Sequence, residues 1–260
     1  MKQFLFILAF MLFGSQSIYA QVYDKYDECE TEKLKSIAQK GDSEAQYELA
    51  WRYFLGNGVE ENFDTGLHWV HQSASNDNPD AQCWMGDYYS DGVYTDPDYK
   101  LACSWYEHAA NLGDEVAQAS LAFYYYKGRG VERDYEKAFK WYEKSAKQGF
   151  DEGQFGLANC YYLGRGIKQN YNQAFYWYDL AAKQGHVEAQ TNLGNLYYNG
   201  QGTIRNFEKA FYWVEKAAKQ DDALAQYYLS MYYEVGVGCE IDLNKAHQWY
   251  KKAIDNGYEP

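Results

Sequence analysis

Apolar and small residues recur along the chain in two alternating patterns, each with the spacing of one helical face. In residues 117–152, the first face carries Leu121, Ala122 and Tyr125. The second face follows a glycine-containing turn and carries Ala138, Phe139, Trp141, Tyr142, Ser145 and Ala146. This alternation predicts two amphipathic helices joined by a short turn.

The same pattern returns with a fixed period along most of the chain. A tryptophan recurs every 36 residues, at Trp69, Trp105, Trp141, Trp177, Trp213 and Trp249. Three more rows keep this period through six copies without an insertion, beginning at Gln46, Tyr53 and Gly56. The copies are residues 45–80, 81–116, 117–152, 153–188, 189–224 and 225–260. Such a period predicts tandem helix–turn–helix units.

Turn residues predict where these helices begin and end. Gly128 and Gly149 follow the two helices of the third copy, where glycine enters the left-handed conformation freely. Short side chains that accept hydrogen bonds from unpaired N–H groups precede every second helix. These residues are Asn62, Asp98, Asp134, Asn170, Asn206 and Asp242. In the second copy Tyr94 replaces the second turn glycine, so we expect a local difference there.

Small residues alternate with large ones where helices must approach closely. Two rows of small residues begin at Ala50 and Gly66, and the tryptophan row is expected to fill the space that they leave. Trp141 is therefore expected to be a core residue. One helix pair cannot bury its own apolar face, so neighbouring pairs must stack.

These motifs carry a resemblance to a known family. The pattern A-Q-x-x-L-[GA]-x-x-Y-x-x-G-x-G-V, followed by [DN]-[YF]-x-x-A-x-x-W-[YV], resembles the Sel1-like repeat, a relative of the tetratricopeptide repeat. It covers residues 45–260 and implies an all-α fold, a right-handed α-solenoid of six repeats. Residues 30–41 resemble the second helix of a truncated leading repeat, so residues 21–44 are expected to form a cap.

The N-terminus has the features of a secretory signal peptide. Lys2 precedes an apolar run at residues 4–13, and Ala20 ends a segment of small residues. We therefore expect residues 1–20 to be removed and the protein to be periplasmic or secreted, the alternative being a retained N-terminal anchor. Gln21 does not support a lipoprotein anchor. No later segment is apolar enough to cross a membrane, so no insertion is expected after cleavage.

The net charge of the chain indicates which classes of partner it disfavours. The net charge is −13, and loss of Lys2 with the signal peptide makes it −14. Such a protein repels nucleic acid and anionic lipid, so no nucleic-acid partner is expected. The charge suits a basic partner, or it simply keeps the protein soluble.

The sequence offers little that indicates catalysis. The motifs S-x-x-K, G-x-S-x-G, H-E-x-x-H and C-x-x-C do not occur. The recurrent G-x-G lacks the third glycine of a phosphate-binding loop and is explained by helix-ending turns. His68 and His71 share one helical face, but no third metal ligand recurs nearby. We expect no enzyme activity, no cofactor and no metal.

The cysteines do not follow the repeat. There are five, an odd number, so at least one forms no internal disulfide. Some secreted Sel1-like proteins are similar but tie the two helices of each repeat by a disulfide, a recurrence that this chain lacks. Cys83 and Cys103 share a hairpin, with about 6 Å of axial slip between them. Buried thiols are therefore expected.

The resemblance to tetratricopeptide arrays implies that the first helices line a concave groove. Positions that vary between copies are free to recognise a partner, and many of them are aromatic, as in interface hot spots. The expected contact residues are Tyr47, Trp51, Phe54, Phe123, Tyr126, Phe155, Tyr162, Tyr198 and Tyr227. The alternative is that these aromatic side chains pack between neighbouring repeats.

These observations favour a binding function. The leading hypothesis is an exported, non-catalytic scaffold that binds a protein or an extended peptide in the groove. The resemblance also admits an immunity protein that neutralises a toxin acting in the bacterial envelope. An enzyme acting on cell-wall material or β-lactams is a third hypothesis, which the missing S-x-x-K motif disfavours.

Overall fold

Helices account for all regular secondary structure in the part of the chain that the structure describes. A computed structural model describes Tyr26 and residues 29–259, so the predicted signal peptide lies outside the described residues. The described residues form thirteen helices and no strand. They are α1 (Thr31–Ala38), α2 (Ser43–Leu55), α3 (Phe63–Ser75), α4 (Pro79–Ser90), α5 (Tyr99–Leu112), α6 (Glu115–Lys127), α7 (Tyr135–Gln148), α8 (Asp151–Leu163), α9 (Tyr171–Gln184), α10 (Val187–Asn199), α11 (Phe207–Ala218), α12 (Ala223–Val235) and α13 (Leu243–Asp255).

The helices form hairpins grouped in two compact units. The chain divides between Gly113 and Asp114, and we describe each unit separately. In the first unit α1 packs on α2, and the pairs α2–α3 and α4–α5 follow. The second unit contains the pairs α6–α7, α8–α9, α10–α11 and α12–α13. The all-α repeat fold is confirmed, and the helix α1 lies within residues 30–41.

The predicted helix ends are also observed. All six predicted N-cap side chains accept a backbone N–H from the first turn of their helix, at 2.8–3.2 Å. Gly128, at φ +69°, ends α6 in the left-handed conformation, and Gly149 ends α7. The second repeat differs, as expected, because α4 ends at Asp91 in the right-handed conformation. Gly92 follows there with φ +70°.

Five of the six tryptophans of the row are half-buried, and Trp213 is the one that is buried. Trp141 is half-buried, and Lys144 Nζ lies 3.7 Å from the centroid of its ring. The following position is buried instead, in Val70, Tyr106, Tyr142, Tyr178 and Val214. Neighbouring residues on a helix point about 100° apart, since a turn takes 3.6 residues. The expectation that Trp141 is a core residue is therefore corrected: the adjacent Tyr142 is.

The glutamine row fastens consecutive hairpins within each unit. Gln190 Nε2 donates to the backbone oxygen of Ala182, at the end of the preceding hairpin. Its Oε1 accepts a hydrogen bond from Gln220, thirty residues later, at 2.8 Å. Four other glutamines of the row accept the same bond from Asn or Gln at 2.9–3.0 Å. Gln82 is the exception, because Leu112 occupies its partner position and its buried Oε1 has no partner among the described residues.

Candidate partner-binding site

The three predicted contact residues in the first unit are core residues. Tyr47, Trp51 and Phe54 are only 2%, 6% and 4% exposed. The Trp51 and Phe54 rings meet edge to face at 5.7 Å, and Phe54 stacks on Trp84 at 5.5 Å. Side chains so enclosed offer no surface to a partner. The prediction is corrected for these three residues, for which the packing alternative holds.

The second unit instead holds an open cavity at its first helices. It has a volume of about 250 Å³ and lies between α6, α7 and α8. We call it the aromatic pocket, and it is lined by Phe123, Tyr126, Lys127, Tyr142, Glu152, Phe155, Gly156, Asn159 and Leu163. Three predicted contact residues, Phe123, Tyr126 and Phe155, thus come together from two consecutive repeats, and each is half-buried.

A missing side chain lets the elements around the pocket approach closely. A Cβ atom added to Gly156 would lie 2.2 Å from the ring of Tyr142, so this ring packs directly on the α8 backbone. One turn further along α8, Asn159 accepts a hydrogen bond from the Tyr178 hydroxyl at 2.6 Å. Tyr142 and Tyr178 therefore contact α8 from the second helices α7 and α9, and the pocket stays open on its other side.

Phe155 is held in place by a histidine. The rings of Phe155 and His186 stack at 4.4 Å, and His186 Nε2 lies 3.0 Å from Glu152 Oε2. In its neutral form, His186 accepts the backbone N–H of Ala189 at Nδ1 and so caps α10. Burial lowers the pKa of His186, but the hydrogen bond and charge of Glu152, with the charge of Glu188, outweigh it and raise the pKa. This arrangement orients Phe155 toward the pocket.

Of two further tyrosines predicted as contact residues, Tyr126 lines the pocket and Tyr162 does not. Tyr126 accepts a hydrogen bond from the Arg165 guanidinium group, which lies 5.0 Å from the centre of its ring. Burial raises the pKa of Tyr126, and Arg165 opposes this shift. The predicted contact residue Tyr162 is half-buried and packs edge to face against Tyr171 at 5.4 Å.

The last two predicted residues lie further along the second unit and do not line the pocket. Tyr198, on α10, is 39% exposed and stacks on Tyr232 at 5.8 Å. Tyr227, on α12, is half-buried and stacks on Tyr258 at 4.2 Å. Both are accessible on first helices, so they extend the set of aromatic side chains without joining the pocket.

Sequence reasoning missed several residues of the site. Lys127, Glu152 and Leu163 line the pocket, and Asn159 forms part of its wall. All four lie at positions that vary between the six copies, which was the available signal. Their side chains are not aromatic, so they fall outside the set of contact residues predicted from the sequence.

The cysteine thiols lie in buried or half-buried positions. Cys103 and Cys160 are buried thiols, and burial raises their pKa values to about 11 and about 12. Cys29 and Cys239 are half-buried thiols. Within residues 29–259, no cluster of three His, Cys, Asp or Glu side chains is placed to hold a metal ion. None of the described helices is both long and apolar enough to span a bilayer.

Stacked helical hairpins fastened by a repeated glutamine define an all-α solenoid. The model of the Sel1 repeat matches six segments, and the chain belongs to this family. The matched residues are 43–78, 79–114, 116–150, 151–186, 187–222 and 223–258. They begin one or two residues before the copies delimited from the sequence. Sel1 repeat proteins generally mediate protein–protein interaction, and the scaffold is typically non-catalytic.

Solved structures of the same family are similar to the chain. A protective antigen of uropathogenic Escherichia coli, c5321, displays an SLR fold and is 33% identical over 88% of this chain, with a TM-score of 0.78. A Sel1 repeat protein from Oxalobacter formigenes is 32% identical over 86%, with a TM-score of 0.74. This chain spans 49% and 65% of their lengths.

A more distant structure shares the fold alone. The immunity protein PA5088 from Pseudomonas aeruginosa is 17% identical over 82% of this chain and 84% of its own, with a TM-score of 0.52. No curated protein sequence matches the chain.

Proposed function

We propose that this protein is an exported, non-catalytic scaffold that binds a protein or an extended peptide at the aromatic pocket. The pocket carries the proposal, because aromatic side chains from two repeats surround space that the protein does not fill itself. Half-buried Phe and Tyr residues supply large, stiff contact area, as in interface hot spots. The family's general role in protein–protein interaction supports the same conclusion.

The size of the pocket favours a side chain of a larger partner. Its volume of about 250 Å³ lies below the range of about 300 to 1,000 Å³ found for small-molecule sites. One apolar side chain of a partner would fill it, while neighbouring residues of that partner contact the rims of α6 and α8. Tyr162 is placed to extend such a contact along the first helices.

Glu152 and Tyr126, two titratable groups that line the pocket, have structural roles, which supports a non-catalytic function. Glu152 is engaged by His186, and His186 caps α10 through Nδ1. Tyr126 is held by Arg165. Export is proposed from the N-terminal sequence, which lies outside the described residues. A toxin neutralised in the bacterial envelope would be one form of the proposed protein partner.

A matched pair of surface substitutions tests the proposal. Leu163 lines the pocket and is 46% exposed, whereas Leu224 lies on α12, away from the pocket, and is 43% exposed. We expect Leu163→Asn to weaken capture of the partner from an envelope extract by about tenfold or more, and Leu224→Asn to leave it unchanged. Photo-crosslinking from Tyr162, compared with exposed Tyr176 on α9, would locate the contact.

Two results would contradict the proposal. One is equal capture by the two leucine variants, both shown by their melting temperatures to be folded. The other is crosslinking from Tyr176 in place of Tyr162, which would assign the partner to the second helices.

A further inference from the structure

Cationic side chains gather beside the aromatic pocket at the turn that follows α6. Lys127 Nζ lies 5.6 Å from the ring centre of Phe123 and 5.9 Å from that of Tyr126. The guanidinium group of Arg129 lies 5.8 Å from the same Phe123 ring. Both cations are exposed. They therefore border the pocket through the two aromatic rings that line it.

Arg133 and Arg165 extend this group across to the next repeat. Both guanidinium groups lie over the ring of Tyr135, at 5.4 Å and 5.2 Å. Arg165 also bonds the hydroxyl of Tyr126, so its position is fixed. We call Lys127, Arg129, Arg133 and Arg165 the cationic cluster, since aromatic rings connect all four.

Within the described residues, three cations of the cluster form no ion pair. Elsewhere in the second unit some second-helix lysines pair with a carboxylate one turn earlier, as Lys147 does with Glu143 at 3.0 Å and Lys219 with Glu215 at 2.9 Å. In the described part of the chain, no carboxylate lies within 4.0 Å of Lys127, Arg133 or Arg165. Lys127, Arg133 and Arg165 thus present positive charge that the described residues do not neutralise by ion pairs.

The fold does not require a cation at the position of Lys127. A cation at a helix C-terminus favours the helix dipole by about 0.3 to 1 kcal/mol, which is a structural role that Lys127 could have. Yet Leu163, Asn199 and Val235 occupy the equivalent position, and a left-handed glycine follows each of them as Gly128 follows Lys127. In the last repeat the turn at residues 235–242 carries two acidic residues and no basic one. Basic residues are most frequent in the turns of repeats three and four, whereas the turn of repeat five carries Arg205 alone.

We infer that the cationic cluster binds carboxylate groups of an acidic segment of the protein partner, next to an apolar side chain that enters the aromatic pocket. This inference rests on the proposed function and names the chemistry of its partner. Guanidinium groups bind carboxylates in bidentate fashion, and stacking on aromatic rings holds them in place for it.

The negative charge of the rest of the protein favours a short acidic segment as the ligand over a long polyanion such as a nucleic acid. The chain as a whole carries −13, so a nucleic acid extending past the cluster would meet repulsion. A peptide with a few carboxylates responds mainly to charges within a Debye length, about 8 Å at physiological salt. The four cations of the cluster outnumber the carboxylates of Glu132, in the same turn, and Glu152, in the pocket lining, so the local charge favours such a segment.

Binding of defined peptides tests the inference. The probes are a fluorescent twelve-residue peptide of alternating Glu and Leu, the same peptide with Gln for Glu, and a twelve-nucleotide single-stranded DNA. We expect the Glu peptide to bind most tightly to the full chain, with affinity that falls as salt rises. Lys127→Gln with Arg133→Gln, both exposed, should weaken this binding by about tenfold. Lys140→Gln with Lys251→Gln, an equal loss of charge on exposed second-helix sites, should not.

The outcomes separate this inference from the proposed function. Equal binding of the Glu and Gln peptides, equal effects of the two double variants, or tighter binding of the DNA would each overturn the acidic partner. If Leu163→Asn weakens binding of the Gln peptide in such a case, the pocket still binds a partner and the proposed function stands. If Leu163→Asn has no effect on either peptide, the pocket fails as a binding site and the inference falls with it.

Discussion

Asp87 allows a test of how a buried carboxyl group affects stability, and the equivalent position two repeats later serves as the control. It accepts a hydrogen bond from the Tyr106 hydroxyl at 2.6 Å, and Asn159, two repeats later, accepts the equivalent bond from Tyr178 at 2.6 Å. Burial raises the pKa of Asp87 from 3.8 to about 7, although the Tyr106 hydrogen bond lowers it, and the charge of Asp91 raises it further. An amide makes this bond without having to ionise, so Asp87→Asn should stabilise the protein at neutral and alkaline pH.

The sign and size of the effect follow from proton linkage. The unfolded chain loses the proton of Asp87 near pH 3.9, whereas the folded protein holds it to about pH 7. The wild type therefore loses stability as the pH rises through this window and stays at the lower level above it. A pKa higher by about 3 corresponds to a ceiling of about 4 kcal/mol. The side chain is half-buried, so solvent screening leaves an expected gain of about 1 to 2 kcal/mol.

Urea denaturation of the wild type and Asp87→Asn at several values between pH 4 and pH 8.5 measures this gain. The difference in free energy of unfolding should be smallest at the acidic end and largest above pH 7. Asn159→Asp should show the opposite behaviour and lose stability as the pH rises. A difference for Asp87→Asn that does not grow with pH would refute the argument, because the cost would then not come from ionisation.

Three further changes have defined outcomes. Leu112→Gln should supply the missing partner of Gln82 and raise the free energy of unfolding by about 1 kcal/mol, seen as a higher urea midpoint; no increase would mean that Gln82 is already satisfied. Trp51→Ala should cost about 3 to 5 kcal/mol of stability, whereas a near-normal melting temperature would show that this ring is not a core residue. The raised pKa of His186 implies stability that is complete below about pH 6.5 and lost as the pH rises through the folded value. His186→Asn keeps a side chain that can cap the helix but cannot ionise against Glu152. This variant should therefore have a flatter profile of melting temperature against pH in that range, and an unchanged profile would contradict the prediction.

The sequence by itself determined the repeat and the ends of its helices. N-caps such as Asn62 and Asp134, and helix-ending glycines such as Gly128, act within a few residues of chain, so their chemistry is legible in the sequence. The glutamine row was visible too, but its role was not. Gln190 spans two hairpins, and only the packed structure brings Ala182 and Gln220 to its amide.

Tertiary structure decided which side chains are buried and where a partner has access. Trp51 and Phe155 are both aromatic residues at variable first-helix positions, yet the first is enclosed and the second borders an open pocket. An aromatic ring satisfies a core and an interface equally well, so its identity does not distinguish them. The distinction comes from contacts between packed helices, such as that of Gly156 on α8 with the ring of Tyr142 on α7. A periodic sequence specifies each hairpin locally, whereas the space left between hairpins depends on how their side chains pack together.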